Sequence, residues 1–377
     1  MKSQIKPSNP FILTGYHSPE YFCNRENELS WLREQLFNER NIVLYAERRV
    51  GKSALIKHLF HHLKQEKSAE TIFVDFLGTS NIQSANQKIG SAIIEHFGDM
   101  RKGLKSGLLK IASSLGATLS FDPLSGLPKI TFTHKQPEQI NNQSLDIIGN
   151  YLLESKKKIV IAIDEFQEIT RYPEKEAEAL FRSWTQKYPM IRFVFSGSYR
   201  HMMESMFSNA DRPFYRSAQL YQLSTIGEQV YSRFIHKHFD KAKRKIPTDI
   251  LKEVFRWTRM QTYYVQLVCN KLFGLKKEIN SVTLISVFHE VMAQEVPLFS
   301  NFQKLLTTFQ WKLLVALAKE EVALNPMGKD FINRYGLGTP SSVSTALKRL
   351  LDYEMIDQIE GYRVQDVLLM RWLQSLN

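Results

Sequence analysis

Cysteine is nearly absent. Cys23 and Cys269 are the only two in 377 residues, and neither belongs to a C-x-x-C pair. That excludes a disulfide framework and a thiolate zinc site, and it fits a reducing compartment. No apolar run approaches the roughly 20 residues of a membrane span. The opening residues, MKSQIKPSNP, lack the apolar centre of a secretory signal. Together these deficits set the expectation of a cytoplasmic protein with no membrane partner. Acidic residues are also short: 38 Asp and Glu face 50 Lys and Arg, for a net charge of +12 and a pI near 9.4. The excess is spread along the chain, with one cluster at Lys241, Lys243, Arg244 and Lys245. A diffuse excess serves solubility as readily as a nucleic-acid face, so charge leaves DNA binding open.

What is present is ample. The chain is long enough for two or three domains, and 43% hydrophobic with 23% charged residues is ordinary globular composition. One stretch, residues 41–63, organises the rest. It opens as an apolar strand at 42–45 and turns through Ala46, Glu47, Arg48, Arg49, Val50, Gly51, Lys52 and Ser53. From Ala54 it continues as a helix with Leu55, Ile56, Leu59, Phe60 and Leu63 on one face. Strand, G-K-S turn and helix form the context of a phosphate-binding P-loop. The free N–H groups and dipole of the helix start favour an anion. Gly51 admits close backbone approach, Lys52 would reach the β/γ-phosphates, and the Ser53 hydroxyl would hold Mg2+. Ala46 stands where G-x-x-x-x-G-K-[ST] has its first glycine, which is tolerable at negative φ and costly at positive φ.

A P-loop needs an acidic partner strand. Residues 159–163 are five consecutive apolar residues, the pattern of a strand buried on both faces, followed by Asp164 and Glu165. Asp164 would serve the Mg2+ shell and Glu165 would be the general base toward water. A further buried strand at 191–195 leads into Ser196-Gly197-Ser198, where Ser198 is the expected sensor of the γ-phosphate and attacking water. Arg216, ahead of a last strand at 219–223, either approaches a γ-phosphate, in cis or from a neighbouring subunit, or pairs with a nearby acid. Near the front, Phe22 and Arg25 flank Cys23-Asn24. They either pack on an adenine ring or cap the helix that follows.

The remaining segments give the organisation. Residues 1–20 read as an extended lead-in. Residues 21–224 read as the P-loop core, with a β-hairpin insertion at about 116–134 whose tip is Asp122-Pro123-Leu124-Ser125-Gly126. Residues 225–300 carry only helical signals and read as a helical lid. Residues 301–377 read as a winged helix: three helices, the third capped by Thr339 with Pro340 at its first position, then a short hairpin. Ser342, Thr345, Lys348 and Arg349 are the expected exposed positions of the third helix. His58, His61 and His62 read as a solvated helix face.

The chain resembles the archaeal-type ATPase family, AAA+/STAND-like P-loop proteins. The residues that carry the resemblance are Tyr21 to Leu29, Arg48-Arg49-Val50-Gly51-Lys52-Ser53, Ile163-Asp164-Glu165-Phe166-Gln167, Phe195-Ser196-Gly197-Ser198, Pro213-Phe214-Tyr215-Arg216 and the wing to Asp366. The resemblance implies an α/β fold, a P-loop NTPase parallel sheet core with the acidic strand between the P-loop strand and its neighbours. A helical lid and a C-terminal winged-helix domain complete it. It also implies ATP and Mg2+ as cofactors. Where the family has a glycine- and proline-containing turn, this chain has Thr258-Arg259-Met260-Gln261, which leaves the lid-to-nucleotide contact open, and Arg259 is one residue that could reach phosphate instead. The expected activity is Mg-dependent ATP hydrolysis that switches lid and winged helix. The alternatives are a DNA-binding regulator with structural nucleotide, or a protein-interaction scaffold with a decayed ATP site. The partners that follow are ATP and ADP, DNA through the winged helix, and a protein or a second copy.

Overall fold

The computed structural model describes residues 6–98, 105–121, 128–133 and 138–376. The expected hairpin tip at 122–126 lies outside them. The chain forms two units: Gly15–Ser224, and Thr225–Asn377 together with the N-terminal stretch to Thr14.

The first unit is an α/β layer fold on a five-stranded parallel sheet. Its strands are β1 (Ile42–Tyr45), β2 (Glu70–Asp75), β5 (Ile159–Asp164), β6 (Ile191–Gly197) and β7 (Gln219–Gln222), in the order β2-β5-β6-β1-β7. A separate antiparallel pair, β3 (Ala117–Phe121) and β4 (Pro128–Phe132), forms the expected hairpin. The sheet corrects one expectation. The acidic strand β5 is not next to the P-loop strand: β6 pairs with both. β1 is already flanked on its other side by β7, so β5 has no free edge of β1 to join.

Alternation along the strands divides the core. On one face Leu32 of α1 (Glu26–Phe37) and Leu55, Ile56 and Leu59 of α2 (Lys52–Gln65) cover Ile42, Leu44, Val160 and Ala162. On the other, α3 (Ile82–Phe97), α4 (Lys105–Ser114), α5 (Glu138–Glu154), α6 (Ala177–Lys187) and α7 (Arg200–Ser208) cover residues such as Val43, Ile161, Ile163 and Phe195. β5 is buried along its whole length, which explains its unbroken apolar run. Below its acidic end, Phe166, Phe195, Phe207 and Phe214 pack ring against ring at centroid distances of 4.4 to 6.2 Å.

The second unit begins with α8 (Glu228–Lys241), α9 (Thr248–Thr258), α10 (Thr262–Gly274) and α11 (Ser281–Leu305), a continuous helix through residue 300. The winged helix follows: α12 (Thr308–Glu320), α13 (Lys329–Tyr335), α14 (Pro340–Asp352), β8 (Ile356–Gln358) and β9 (Tyr362–Val364). A bridge from Ala323 to Tyr362 adds a third strand position. Thr339 caps α14 through Ser342 N–H, with Pro340 at its first position as read from sequence. The sequence reading missed the last helix, α15 (Val367–Ser375), which Asp366 caps by accepting from Leu368 and Leu369 N–H. Asn9 and Phe11 of the lead-in are tied to the rest of this unit. Asn9 and Asn270 exchange side-chain bonds with backbone, at 2.9 Å to the Asn270 carbonyl and 2.8 Å to the Phe11 carbonyl, while Phe11 packs on Phe239 and Phe273.

Arg259 is held within its own unit. It donates to the Val364 carbonyl at 3.1 Å, so the guanidinium is engaged by the winged helix. Arg371 of α15 donates back to the Trp257 and Arg256 carbonyls at 3.0 Å each, capping the end of α9. Without glycine, the α9–α10 turn places Arg259 (φ 50°) and Met260 (φ 57°) in the left-handed region, at about 1–2 kcal/mol each. Among the described residues no helix is long and apolar enough to cross a membrane.

The aromatic cluster should dominate stability locally. Phe207→Ala, at 1% exposure, is expected to lose about 3–5 kcal/mol in urea denaturation. Leu324→Ala, at 77% exposure, should stay within about 0.5 kcal/mol.

Candidate functional site

The site lies where parallel strands end, at the carboxyl edge of the sheet. β1 runs into the loop at Ala46, and Gly51 at φ 107° caps the start of α2. Only glycine takes that conformation freely, and the loop also uses a left-handed Arg49 at φ 68°. Ala46 is not among the left-handed residues, and its methyl is buried in the α1/α2-side core. The missing glycine is therefore a packing choice without backbone strain. Val50 is buried in the same core, Glu47 and Ala54 are half-buried, and Arg48 and Arg49 are exposed.

Lys52 is 6% exposed and folds across the loop, donating to the Ala46 carbonyl at 3.1 Å and the Glu47 carbonyl at 3.2 Å. Burial pushes its ammonium below the usual lysine range, against the opposing pull of Glu165 and Asp164. Ser53 donates to Asp164 Oδ2 at 2.5 Å. Ser196 donates to Asp164 Oδ1, also at 2.5 Å. The sequence reading missed Ser196. Its signal was a polar residue closing the apolar run of β6, whose inward direction only the sheet register reveals.

Glu165, next along, sits at φ 52°. Its Oε2 accepts from Gln167 Nε2 at 2.6 Å and Ser198 Oγ at 2.8 Å. Burial raises its carboxyl, but those bonds and the Lys52 charge outweigh it, leaving a net depression. Ser198 is thus a partner of Glu165. Among the described residues no group of three or more His, Cys, Asp or Glu gathers as a metal cluster. A cation here would rest on the hydroxyl and carboxylate oxygens of Ser53 and Asp164, the hard donors that suit Mg2+.

The other expected residues fall elsewhere. Arg25, 4% exposed, pairs with Glu28 at 2.7 Å and donates to the Val50 carbonyl at 3.5 Å. It braces the loop from beneath. Phe22 stacks on His58, with ring centroids 4.3 Å apart. This corrects the solvated-histidine reading: His58 is 7% exposed and shares a 2.9 Å hydrogen bond with the Tyr16 hydroxyl. Arg216 is exposed, with its guanidinium 5.1 Å from the Tyr215 ring centre. It precedes β7, whose first residue, Gln219, pairs with Ile42, at the end of β1 away from Ala46. The topology thus sets Arg216 toward the sheet edge opposite its own P-loop. Arg212, nearby in sequence, is ion-paired with Glu178.

These features define a P-loop ATPase core with an acidic strand end and a winged helix. The sequence profile of the ATPase domain found predominantly in Archaea matches residues 22–268, and the chain belongs to that family. A winged helix domain profile matches residues 297–375. No curated protein matches the sequence. Among solved structures, the Walker-type ATPase paby2304 of Pyrococcus abyssi is 16% identical with a TM-score of 0.67, over 97% of this chain and 99% of that one. The Aeropyrum pernix ORC2 protein, solved as ADPNP-ADP complexes, is 13% identical with a TM-score of 0.60, over 97% and 95%. The Aeropyrum pernix ORC1 protein in complex with DNA is 13% identical with a TM-score of 0.54, over 98% and 96%.

His58 supplies a pH test of the P-loop helix. Burial, then His62 and His61, hold its pKa down to about 4. The unfolded chain takes up that proton near pH 6.5, so the contribution is present above pH 6.5 and is lost as pH falls toward 4. Urea denaturation between pH 7 and 5 should show falling stability, with a shallower fall in His58→Gln. An equal slope in the two proteins would refute the assignment.

Proposed function

We propose that the chain binds ATP with Mg2+ in the loop 46–53 and hydrolyses it. The reading is carried by the convergence of Ser53 and Ser196 on the Asp164 carboxylate, beside Lys52 and Glu165. The start of α2 offers unpaired N–H groups and its dipole to the phosphates, and Lys52 adds a point charge. Mg2+, held by Ser53 and Asp164, would neutralise phosphate charge when bound. Glu165 orients the attacking water and takes its proton, with Ser198 steadying the carboxylate. Phe22, stacked on His58, is the proposed contact for the base, and Arg25 acts through the Val50 carbonyl. Arg216 serves a neighbouring copy's nucleotide, since its own loop is at the other sheet edge. Glu47, Arg48, Arg49, Val50, Gly51 and Ala54 supply the loop backbone.

In this reading residues 21–224 are the catalytic core, 225–300 the lid and 301–377 the winged helix. Arg259 and Arg371 tie the α9–α10 turn to the winged helix, which supports a switch in which both move as one body. Glu165→Gln should retain ATP binding and lose about 10²- to 10⁴-fold in turnover. Lys52→Ala should weaken ATP binding in a titration. Parental turnover in Glu165→Gln would show that the assigned base is wrong.

A second reading, DNA binding, rests on α14, where Ser342, Thr345, Lys348 and Arg349 are exposed. A duplex titration against salt should give a steep negative slope. Neutralising Lys348 and Arg349 should reduce it by about one unit per cation. No binding at low salt would remove this reading.

A further inference from the structure

Gln167 is in no role assigned above, yet it makes the shortest bond to Glu165. It lies in the short 3-10 helix Phe166–Arg171 that follows β5 and is 3% exposed. Its Nε2 donates to Glu165 Oε2 at 2.6 Å, and the same oxygen takes Ser198 Oγ at 2.8 Å and Ser198 N–H at 3.4 Å. Three donors crowd one carboxylate oxygen.

The amide is also held in an unfavourable state. Gln167 Oε1 is buried without a hydrogen-bond partner. A buried acceptor left unpaired is costly and calls for an explanation. Rotating the amide would not relieve it, because the carbonyl oxygen would then face the Glu165 carboxylate. The cradle around Oε1 is tight. A Cβ at Gly197 would stand 2.3 Å from Gln167 Oε1 and 2.6 Å from Met203 Cγ and Sδ. Gly197 has no positive φ to require glycine, so its missing side chain is explained by the space that Gln167 and Met203 occupy.

We infer that Gln167 is a positioning residue: seated against Gly197, with its Oε1 held unpaired in that cradle, it aims its Nε2 at Glu165 Oε2 and pins the carboxylate. The inference rests on the reading of Glu165 as base. Glu165 itself is at φ 52°, so its side-chain direction is fixed from both ends, by the strained backbone and by the amide.

The test is kcat for ATP hydrolysis in the full chain, measured beside the Kd for ATP. In Gln167→Met turnover should fall at least about tenfold, with the Kd within about twofold of the parent. Added to Glu165→Gln, the same change should cost no further turnover, because the residue acts only through that carboxylate. Gly197→Ala leaves the amide in the chain but displaces it, and should reproduce the loss of turnover at parental Kd. If Gln167→Met does not fold, Gly197→Ala decides alone. Parental turnover in the folded variant, or a further loss on top of Glu165→Gln, overturns the positioning role and leaves the base in place. Parental turnover in Glu165→Gln overturns the base, and the inference with it.

Discussion

Two hydroxyls meet on one carboxylate: Ser53 from the start of α2 and Ser196 from the end of β6 both donate to Asp164 at 2.5 Å. The rest of the site depends on that tie. β6 stands between β1 and β5, so the P-loop and the acidic strand share no ladder bonds. Their mutual placement rests on side chains reaching across the end of the intervening strand. Ser196 fills the gap from the middle and Ser53 spans it from the P-loop side. Bonds to an ionised acceptor are short and about twice as strong as neutral ones, which suits a carboxylate only 6% exposed.

That arrangement sets the electrostatics around it. Lys52 is buried, and burial alone would favour a neutral amine. Two loop carbonyls and the two carboxylates at the end of β5 oppose this. Phosphate oxygens arriving at the start of α2 would supply further negative charge beside the same ammonium. A bound anion would thus add to the pull that the two carboxylates already exert on this ammonium. The aromatic cluster beneath, with Phe166 immediately after Glu165, anchors the acidic turn to the core and limits how far either carboxylate can drift.

The parts legible in sequence were those whose logic is local. The strand-loop-helix at 42–65 and the apolar run ending in Asp164 appear in the structure nearly as spaced in the chain. The parts that were not legible depend on distant partners. Ser196 owes its importance to the register of β6 on β5. Three histidines at i, i+3 and i+4 carry no sign that Tyr16 and Phe22 will cover one of them. The sign of φ at Ala46 belongs to the backbone, and only its absence from the left-handed set resolves the missing glycine. For Arg216 the sequence left a cis role, a trans role and a surface ion pair open, and what strand direction adds is its place, at the end of β1 away from Ala46.

The altered α9–α10 turn shows how a lost motif can leave a mechanical role behind. A glycine and proline would make the turn without strain. Here Arg259 and Met260 occupy left-handed backbone, and the arginine side chain reaches the Val364 carbonyl. Arg371 answers by capping α9 through the Arg256 and Trp257 carbonyls, and Trp257 stacks on Phe288 at 4.2 Å. The strain at the turn is thus held by bonds to the winged helix. Releasing the winged helix from these bonds would leave two strained residues without the contacts that fix them. Motion within this unit at this turn must therefore break the Arg259 and Arg371 bonds, which an unstrained linker would not require.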